Sequence, residues 1–296
     1  MAMDRLAAMQ LFVRIVERRS FSAAASDLGV SRAAATETIK RLEARLGARL
    51  LVRTTRHVTT TLEGEEYHHR CQSILADVEQ AEGDLATNRP RGTLRISVHG
   101  YWARTFLIPH LPTFMARFPD LDLFIDEGDR FVDMVREGFD CVLRHGDPVD
   151  SSMMSRLICR LPEVTCASPD YLARHGVPAS PDDLEGHSIV GFASSRTGGT
   201  LPLEFLERGC LREVKLPCRV RVIGSETMVA LARQGFGLMQ APRFRLEADF
   251  STGNLVEVLP EFAPKPTPVF ALFPQGRQFS PRIRVFLNWL GELPYS

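Results

Sequence analysis

The chain of 296 residues lacks the features of a membrane-spanning or exported protein. No apolar run approaches the roughly 20 residues that a membrane-spanning helix needs. The first residues do not show the charged and then apolar pattern of a secretory signal peptide. They show instead the spacing of an amphipathic helix, with Leu6, Met9, Val13 and Val16. The net charge is zero, and 44% of the residues are hydrophobic, as in ordinary globular proteins. We therefore expect a cytoplasmic protein of two or three domains with no membrane partner.

The six cysteines show neither the spacing of a zinc site nor that of a C-x-x-C motif. In a reducing compartment most of them should be small core residues, and a redox-sensing pair is the alternative. The cysteines are Cys71, Cys141, Cys159, Cys166, Cys210 and Cys218. This pattern predicts no metal site.

Motifs of the common enzyme classes are also missing. The chain holds no GxSxG, HExxH, Walker A or Rossmann glycine fingerprint. His145, Asp147 and Ser151 are residue types of a nucleophilic relay, but their spacing on a loop does not itself bring base and nucleophile together. We expect no catalytic residues and no cofactor.

The chain does contain two helical runs on either side of a tight break, between Ser20 and Leu46. Gly29 can adopt the left-handed conformation that ends the first helix, and Ser31 can cap the second. Spacings of four, three and four predict one buried stripe of Ala35, Ile39, Leu42 and Leu46. The lean, polar start of this second helix could enter a DNA major groove, which indicates a helix-turn-helix with residues 32–46 as recognition helix. An ordinary helical hairpin is the alternative.

The charge of the first 60 residues favours the DNA-binding interpretation. They hold eleven Arg or Lys against five Asp or Glu, a net of +6 in a chain whose total is zero. Two short β-prone runs around a basic turn follow Gly47 and predict a wing, whose arginines would contact phosphates. The candidate DNA-binding residues are Ser22, Ser31, Arg32, Ala33, Thr36, Glu37, Lys40, Arg41, Arg53, Thr54 and Arg56.

These residues resemble the amino-terminal signature of LysR-type transcriptional regulators, without a gap over about sixty residues. The similarity rests on Ser31-Arg32-Ala33-Ala34-Ala35-Thr36, Ile39, Leu42-Glu43, Leu46-Gly47, Leu50-Leu51, Arg53-Thr54-Thr55-Arg56 and Thr61-x-x-Gly64. The chain departs from the family pattern at Arg32-Ala33 and at Glu37, which affects base preference rather than fold. The resemblance implies operator DNA, a small-molecule effector and the chain itself, as dimer or tetramer, as partners. RNA polymerase is a further candidate partner.

A long helix should follow the wing and run to about Asn88. Residues 61–90 hold seven acids against two arginines, a net of −5. Apolar side chains spaced 4-3-4-3-4 form a narrow heptad seam, which predicts pairing of two helices. The seam consists of Tyr67, Cys71, Ile74, Val78, Ala81 and Leu85. In the resembled family this helix does pair two chains, and a helix lying on its own domain is the alternative.

From residue 91 onward, strands alternate with helices, which predicts an α/β domain with a parallel sheet. Strands are expected at residues 94–98, 121–125 and 139–143, and helices at about 103–118 and 131–137. A hairpin is expected at residues 201–216 and a final helix at 280–293. A free solute-binding protein is the rival interpretation of residues 93–296, but it would need export.

The family resemblance is looser here and implies a two-lobe effector domain similar to type 2 periplasmic binding proteins. The expected domains are the winged helix-turn-helix (1–60), the linker helix (61–90) and the regulatory domain (91–296). Lobe I would comprise residues 91–166 and 267–296, and lobe II residues 167–266, with crossings near 166–168 and 262–267.

Polar and aromatic residues follow the ends of the predicted strands, where open α/β sheets bind ligands. They predict a cleft for a small anionic or aromatic effector. The candidates are His99, Tyr101, Trp102, Thr105, Arg144, His145, Phe192, Ser225, Glu226 and Gln240. The alternative is that Tyr101 and Trp102 pack the seam between the lobes and that Arg144 pairs with an acid such as Glu226.

Overall fold

The computed structural model describes residues 5–53, 58–84, 90–129, 132–148, 153–194, 198–275 and 280–295. A helical head (residues 5–60) is joined by one long helix to an α/β region of two lobes. The head and long helix contain α1 (Arg5–Arg18), α2 (Phe21–Asp27), α3 (Arg32–Leu46), β1 (Leu51–Arg53), β2 (Val58–Thr60) and α4 (Leu62–Asp84). Within the described residues no helix is both long and apolar enough to cross a membrane.

The break between α2 and α3 has the predicted chemistry. Gly29 adopts a φ of 65°, and the Ser31 hydroxyl accepts a hydrogen bond from Ala34 N at 3.1 Å, which caps α3. Gly47 ends α3 with a φ of 67°. Helix α2 begins one residue earlier than Ser22, because Ser20 caps it by accepting from Ala23 N.

The head core confirms most of the predicted stripe and corrects its edges. Ala35, Ile39 and Leu42 are buried, whereas Leu46 is 41% exposed in the last turn of α3. In α1 the inward face is rotated from the predicted one. Its buried residues are Ala8, Leu11, Phe12 and Ile15, while Leu6, Val13 and Val16 are only half-buried.

Helix α4 begins as part of the head. The Thr61 hydroxyl accepts from Gly64 N at 2.9 Å and donates to Arg49 O at 2.6 Å, which fixes the start of the helix against the strand that leads into the wing. Cys71 is fully buried in the head core, and the Tyr67 ring lies 5.5 Å from that of Phe12. The first two residues of the predicted seam therefore pack within their own chain, which is the alternative that the sequence left open.

The regulatory region contains β3 (Gly92–Val98), α5 (Gly100–Trp102), α6 (Leu111–Arg117), β4 (Leu121–Glu127), α7 (Met134–Glu137), β5 (Cys141–His145), β6 (Met153–Leu161), β7 (Glu163–Ala167), α8 (Pro169–His175), β8 (Gly191–Phe192), β9 (Leu203–Glu207), β10 (Cys210–Val214), β11 (Arg221–Val222), α9 (Ser225–Arg233), β12 (Met239–Pro242), α10 (Glu247–Thr252), β13 (Val256–Val258), β14 (Thr267–Pro274) and α11 (Pro281–Glu292).

Lobe I is built on a five-stranded sheet of order β4-β3-β5-β14-β6. Strands β4, β3 and β5 run parallel, as expected, whereas β14 returns antiparallel to both β5 and β6. The expected helix over residues 103–118 is divided into α5, a π turn, a 3-10 turn and α6. Pro109 and Pro112 explain the division, because each removes an amide donor from a helical ladder.

Lobe II departs further from the expected parallel sheet. Its three-stranded sheet, β12-β7-β13, is antiparallel, and the described residues pair in parallel at the short pair β8 and β11 and at an isolated bridge between Ile189 and Leu238. The predicted hairpin is confirmed as β9 and β10. Because β6 belongs to the lobe I sheet and β7 to that of lobe II, the chain changes lobes at Pro162 and not at 166–168. The return falls between β13 and β14, around the expected position.

Gly64 permits the close approach of α4 to the head. A Cβ atom there would lie 2.0 Å from the carbonyl oxygen of Leu50. We expect Gly64→Ala to lower the free energy of unfolding by about 1–3 kcal/mol, because backbone would have to move. Thermal unfolding followed by far-UV circular dichroism measures this loss. The control is Gly224→Ala, whose Cβ would meet nothing closer than Thr227 Oγ1 at 3.7 Å. Equal stability of the two variants would contradict the close packing.

Candidate DNA-contacting face and interlobe site

One face of α3 carries most of the predicted DNA-contacting residues to the surface. Its exposed residues are Ser31, Arg32, Ala33, Glu37, Lys40 and Arg41, with Thr36 half-buried beside them, and Ser22 is exposed on α2. Arg41 Nε donates to Glu37 Oε1 at 2.9 Å, so the acid offsets one positive charge of this face. Short side chains at the start of α3 leave that end accessible.

The wing is an antiparallel pair in which Leu51 lies opposite Thr60 and Arg53 opposite Val58. Arg53 belongs to β1, but its side chain, like Thr54 and Arg56, lies outside the described residues. Glu43 positions the wing in a way that sequence reasoning missed. Its Oε1 accepts from Leu50 N at 2.8 Å and from Leu51 N at 3.1 Å. The carboxylate thus ties the end of the recognition helix to the first wing strand.

The second site lies where the two lobes meet, and Asp129 joins them. Its Oδ1 lies 2.5 Å from His99 Nδ1 of lobe I, and its Oδ2 accepts from Ser225 N of lobe II at 2.7 Å. Burial would raise the pKa of Asp129, but the hydrogen bonds from His99 and Ser225 outweigh it and hold the pKa far below its usual range. Asp129 is therefore an ionised link between the lobes at physiological pH.

Two arginines extend this junction. Arg104 of lobe I donates to Glu127 Oε2 at 2.8 Å and to Glu226 Oε1 of lobe II at 3.1 Å. Arg245 of lobe II donates to Ser225 Oγ at 2.9 Å, and its guanidinium carbon lies 4.9 Å from the centre of the Tyr101 ring. This ring stacking is a cation–π contact between the lobes.

His99 and His145 stack with ring centroids 4.5 Å apart. Burial lowers the pKa of His145 to about 3, and the positive charge that His99 can carry adds to the effect. His145 is therefore neutral at physiological pH. Arg144, its neighbour, donates to Leu143 O and to Ser97 Oγ. The alternative to a pocket role for Arg144 is a pairing with an acid such as Glu226, and Glu226 pairs with Arg104 and Arg245.

Three predicted effector residues have structural partners within their own lobes. Trp102 is 1% exposed and packs against Phe106 and Tyr295 in the lobe I core. Phe192 packs against the core of lobe II. The Gln240 amide is held by Thr165 and by the backbone of Glu204. Trp102 is buried, whereas Phe192 and Gln240 are half-buried, so a place for them in an effector cleft stays a prediction.

The remaining predicted residues lie at the junction or near it. His99, Tyr101, Ser225 and Glu226 make the contacts between lobes described above, and Thr105 is exposed on the π turn after α5. Sequence reasoning missed Asp129, Arg104 and Arg245 as members of this site. The rule that ligand-binding residues follow strand ends could have indicated Asp129, since it stands two residues beyond the end of β4.

Asp129, His99 and Ser225 are the residue types of a hydrolytic triad, but their geometry differs from one. Ser225 contacts Asp129 through its backbone amide, and its hydroxyl accepts from Arg245. A nucleophilic serine needs a base within hydrogen-bond reach of its hydroxyl. Among the described residues, no cluster of His, Cys, Asp and Glu has the arrangement of a metal site either. The cysteines are all free there, and Cys71, Cys141 and Cys166 are buried.

Both the amino-terminal head and the regulatory region match known protein families. Residues 6–65 match the family model of bacterial regulatory helix-turn-helix proteins of the lysR family, and residues 87–294 match that of the LysR substrate binding domain. The chain is 34% identical over 290 residues to YhjC, an uncharacterized HTH-type transcriptional regulator of Escherichia coli K12, with 97% of each chain covered.

Two solved structures share the whole architecture. That of CrgA, a LysR-type transcriptional regulator from Neisseria meningitidis, is 30% identical, with a TM-score of 0.58 over 96% of this chain and 97% of that one. The full-length structure of the Vibrio cholerae virulence activator AphB is 23% identical, with a TM-score of 0.56 over 97% of this chain and 98% of that one. At the lower identity the likeness supports the fold alone.

The buried, neutral His145 makes lobe I sensitive to acid. Below pH 6.5 an unfolded histidine takes up a proton, whereas folded His145 does not do so until about pH 3. The unfolded state then binds more protons, so stability falls with decreasing pH by up to about 1.4 kcal/mol per unit. We expect His145→Gln to flatten this slope between pH 6 and 4.

Urea unfolding followed by tryptophan fluorescence reports on lobe I, because Trp102 and Trp289, the two tryptophans of the chain, both lie in its core. His110→Gln serves as the control, since His110 lies in a 3-10 turn outside the junction. An unchanged slope in His145→Gln would contradict the assignment of a neutral His145.

Proposed function

Because the chain belongs to the LysR family of bacterial transcriptional regulators, we propose a role for each of its surfaces in DNA binding and effector control. LysR regulators bind operator DNA through the helix-turn-helix, bind small-molecule effectors through the second domain, and form oligomers. The observation that carries the proposal is the exposed, basic start of α3 beside the wing, within the first 60 residues, whose net charge is +6. We place the protein in the cytoplasm, where its DNA partner is.

In this proposal the start of α3 enters the major groove and the wing contacts the backbone. Arg32 and Thr36 supply donors and acceptors to base edges, while Ala33 keeps the helix close to the groove floor. Lys40, Arg53 and Arg56 neutralise phosphates, which sets position and salt dependence but not sequence. Glu37 limits the charge of this face through its pairing with Arg41.

We further propose that the exposed part of α4 pairs two copies of the chain. Ile74 is 40% exposed beyond the region where α4 packs on its own head, and Val78 is half-buried one turn later. Tyr67 and Cys71 belong to the head core, whereas the side chain of Ala81 and the whole of Leu85 lie outside the described residues. The dimer seam would therefore begin at Ile74. A dimer presents two heads to an operator with two-fold symmetry. We further propose that dimers can assemble into tetramers and that RNA polymerase is a partner.

The effector is proposed to act at the junction of the lobes. Asp129, Arg104 and Arg245 join the lobes by polar contacts, and such contacts can be exchanged for contacts with a ligand. A ligand shifts the equilibrium between open and closed lobes by its differential affinity for the two states. The helix α4 would carry this shift to the spacing or bend at which two heads meet the operator. No catalytic step is part of this role.

The wing and the recognition helix should respond differently to mutation. Arg53→Ala should weaken binding to every DNA sequence alike and reduce the dependence of log Kd on log salt by about one unit. Arg32→Ala or Thr36→Ala should change base preference, by about 1–3 kcal/mol for each good base-edge hydrogen bond that the substitution removes. Gel-shift titrations at several salt concentrations, on operator and on unrelated DNA, measure both effects.

The control is Arg219→Ala, which removes an exposed arginine of lobe II. An Arg53→Ala variant with the parent's affinity and salt dependence would show that the wing does not contact DNA. Equal reductions in affinity for operator and unrelated DNA in Arg32→Ala and Thr36→Ala would contradict the role of α3 in base recognition.

An acidic residue in the exposed part of α4 should weaken the dimer. Ile74→Asp or Val78→Asp would bury an unpaired charge between the helices, at a cost of several kcal/mol. Sedimentation equilibrium should then show monomers, or dimers that dissociate at higher concentration. The matched control is Ile223→Asp, at an apolar residue of lobe II that is 68% exposed. An unchanged assembly in both α4 variants would place the main interface elsewhere.

A further inference from the structure

We propose that the effector of this chain carries a carboxylate that takes the place of the Asp129 side chain between the two lobes. The inference deepens the proposed effector site, and rests on it, by naming the class of ligand and the group with which that ligand competes. While the effector is absent, the Asp129 carboxylate would occupy the position of the ligand carboxylate and hold the lobes together.

The position of the Asp129 carboxylate is built for an anionic group. One oxygen meets His99 Nδ1 at 2.5 Å, and the other accepts from Ser225 N at 2.7 Å. Ser225 is the first residue of α9, a helix of nine residues, and Gly224 before it offers no capping side chain. The amide ends of such helices attract negative charge. The donors come from both lobes, so an anion held there also holds the lobes together.

A second observation is independent of the helix end. Arg245 is a buried side chain, 8% exposed, whose Nη1 donates to Ser225 Oγ. Its Nε has no hydrogen-bond partner among the described residues, and the same is true of His145 Nε2. An unsatisfied buried polar atom costs stability of the order of 1–3 kcal/mol. Hydrogen-bonding capacity therefore remains next to Asp129, which a ligand larger than one carboxylate could use.

The charges around the junction indicate replacement rather than addition. Arg104, Arg144 and Arg245 stand against Asp126, Glu127, Asp129 and Glu226, three positive groups against four negative ones. Asp126 and Arg144 both contact the Ser97 hydroxyl, and Glu226 is shared by Arg104 and Arg245. A further anion would add to this excess of negative charge. A monoanionic ligand leaves the charge unchanged only when the Asp129 side chain leaves its position.

The release of Asp129 has a physical route to the head. Asp129 lies shortly before α7 in the chain, and α7 is followed by Gly138, which touches the long helix α4. A Cβ at Gly138 would lie 3.1 Å from His69 O and 3.2 Å from His69 Cβ. Gly138, nine residues after Asp129 in the sequence, thus lies against α4. Exchange of Asp129 for a free carboxylate would release the Asp129 side chain from His99 and Ser225 while the effector bridges the lobes.

Formate and acetate test the proposal directly, because either is small enough to stand in for the missing carboxylate. In the full-length Asp129→Ala variant, urea unfolding by tryptophan fluorescence should show stabilisation that grows with formate concentration at constant ionic strength. The apparent affinity for formate should be at least about tenfold higher in Asp129→Ala than in the wild type, where the ion must displace Asp129. Chloride and methylammonium should not replace it.

Four further variants make the test conclusive. Asp129→Asn retains an acceptor for Ser225 N without the charge, so its affinity for formate should fall between those of Asp129→Ala and the wild type, and it remains informative if Asp129→Ala does not fold. In Asp129→Ala, the added change Ser225→Pro removes the amide donor at a position where helices accept proline, and it should abolish the response. Ser225→Ala keeps that amide and should retain the response. Asp147→Ala, which removes an exposed carboxylate of lobe I, serves as the control.

Equal formate affinity in the wild type and both Asp129 variants, or stabilisation by methylammonium instead, would overturn the proposal. A formate response that survives Ser225→Pro would do the same. These readouts need no DNA, so their failure is distinguishable from failure of the regulator to bind an operator.

Discussion

The carboxylate of Asp129 joins the two lobes by accepting a hydrogen bond from the first amide of α9 while it pairs with His99. These polar contacts add to the apolar packing between the lobes, in which Phe244 of lobe II lies against Tyr101 and Phe106 of lobe I. Arg104 reinforces the junction through Glu226, and Arg245 does so by stacking on Tyr101. Ionic contacts of this kind can be exchanged for contacts with a ligand, as the proposed effector role requires.

The long helix α4 connects this device to the DNA-binding head. At its start, Gly64 lies against the Leu50 backbone and Cys71 is buried in the head core, so the first turns of the helix move with the head. Between Gly64 and Cys71, His69 meets Gly138 of lobe I. Burial lowers the pKa of His69, as the positive charge of Arg95 does further. One helix therefore touches both the head and the sensing domain, and a change in either must be accommodated by it.

The local chemistry of the head was predictable from sequence, because caps and glycine turns act over a few residues. Ser31, Gly29 and Gly47 have the predicted roles. The heptad seam was less predictable. Its spacing was real, but Tyr67 and Cys71 serve the head core, since periodicity identifies an apolar stripe and not its partner. Leu46 is exposed for a related reason, as the last turn of α3 extends beyond the core that buries Leu42.

In the regulatory domain, too, local sequence patterns did not reveal contacts between residues far apart in the chain. Strand ends led to His99, Tyr101, Ser225 and Glu226, which the structure brings to the junction of the lobes. The same rule selected Trp102, Phe192 and Gln240, which have partners within their own lobes. Asp129 and Arg245 were missed because their importance depends on the approach of two lobes far apart in sequence. The antiparallel β14 and the crossing at Pro162 likewise depend on non-local pairing that no short pattern records.

Selection of binding sites from a random DNA pool by the full-length protein tests the central claim most directly. A LysR-type regulator with paired heads should enrich one sequence with two-fold symmetry, whose half-sites are separated by about one helical turn or a multiple of it. The enrichment should weaken as salt rises, as counterion release requires. Enrichment of no sequence, or of an isolated half-site with no symmetric partner, would contradict the account of paired reading heads under the control of one two-lobe sensor.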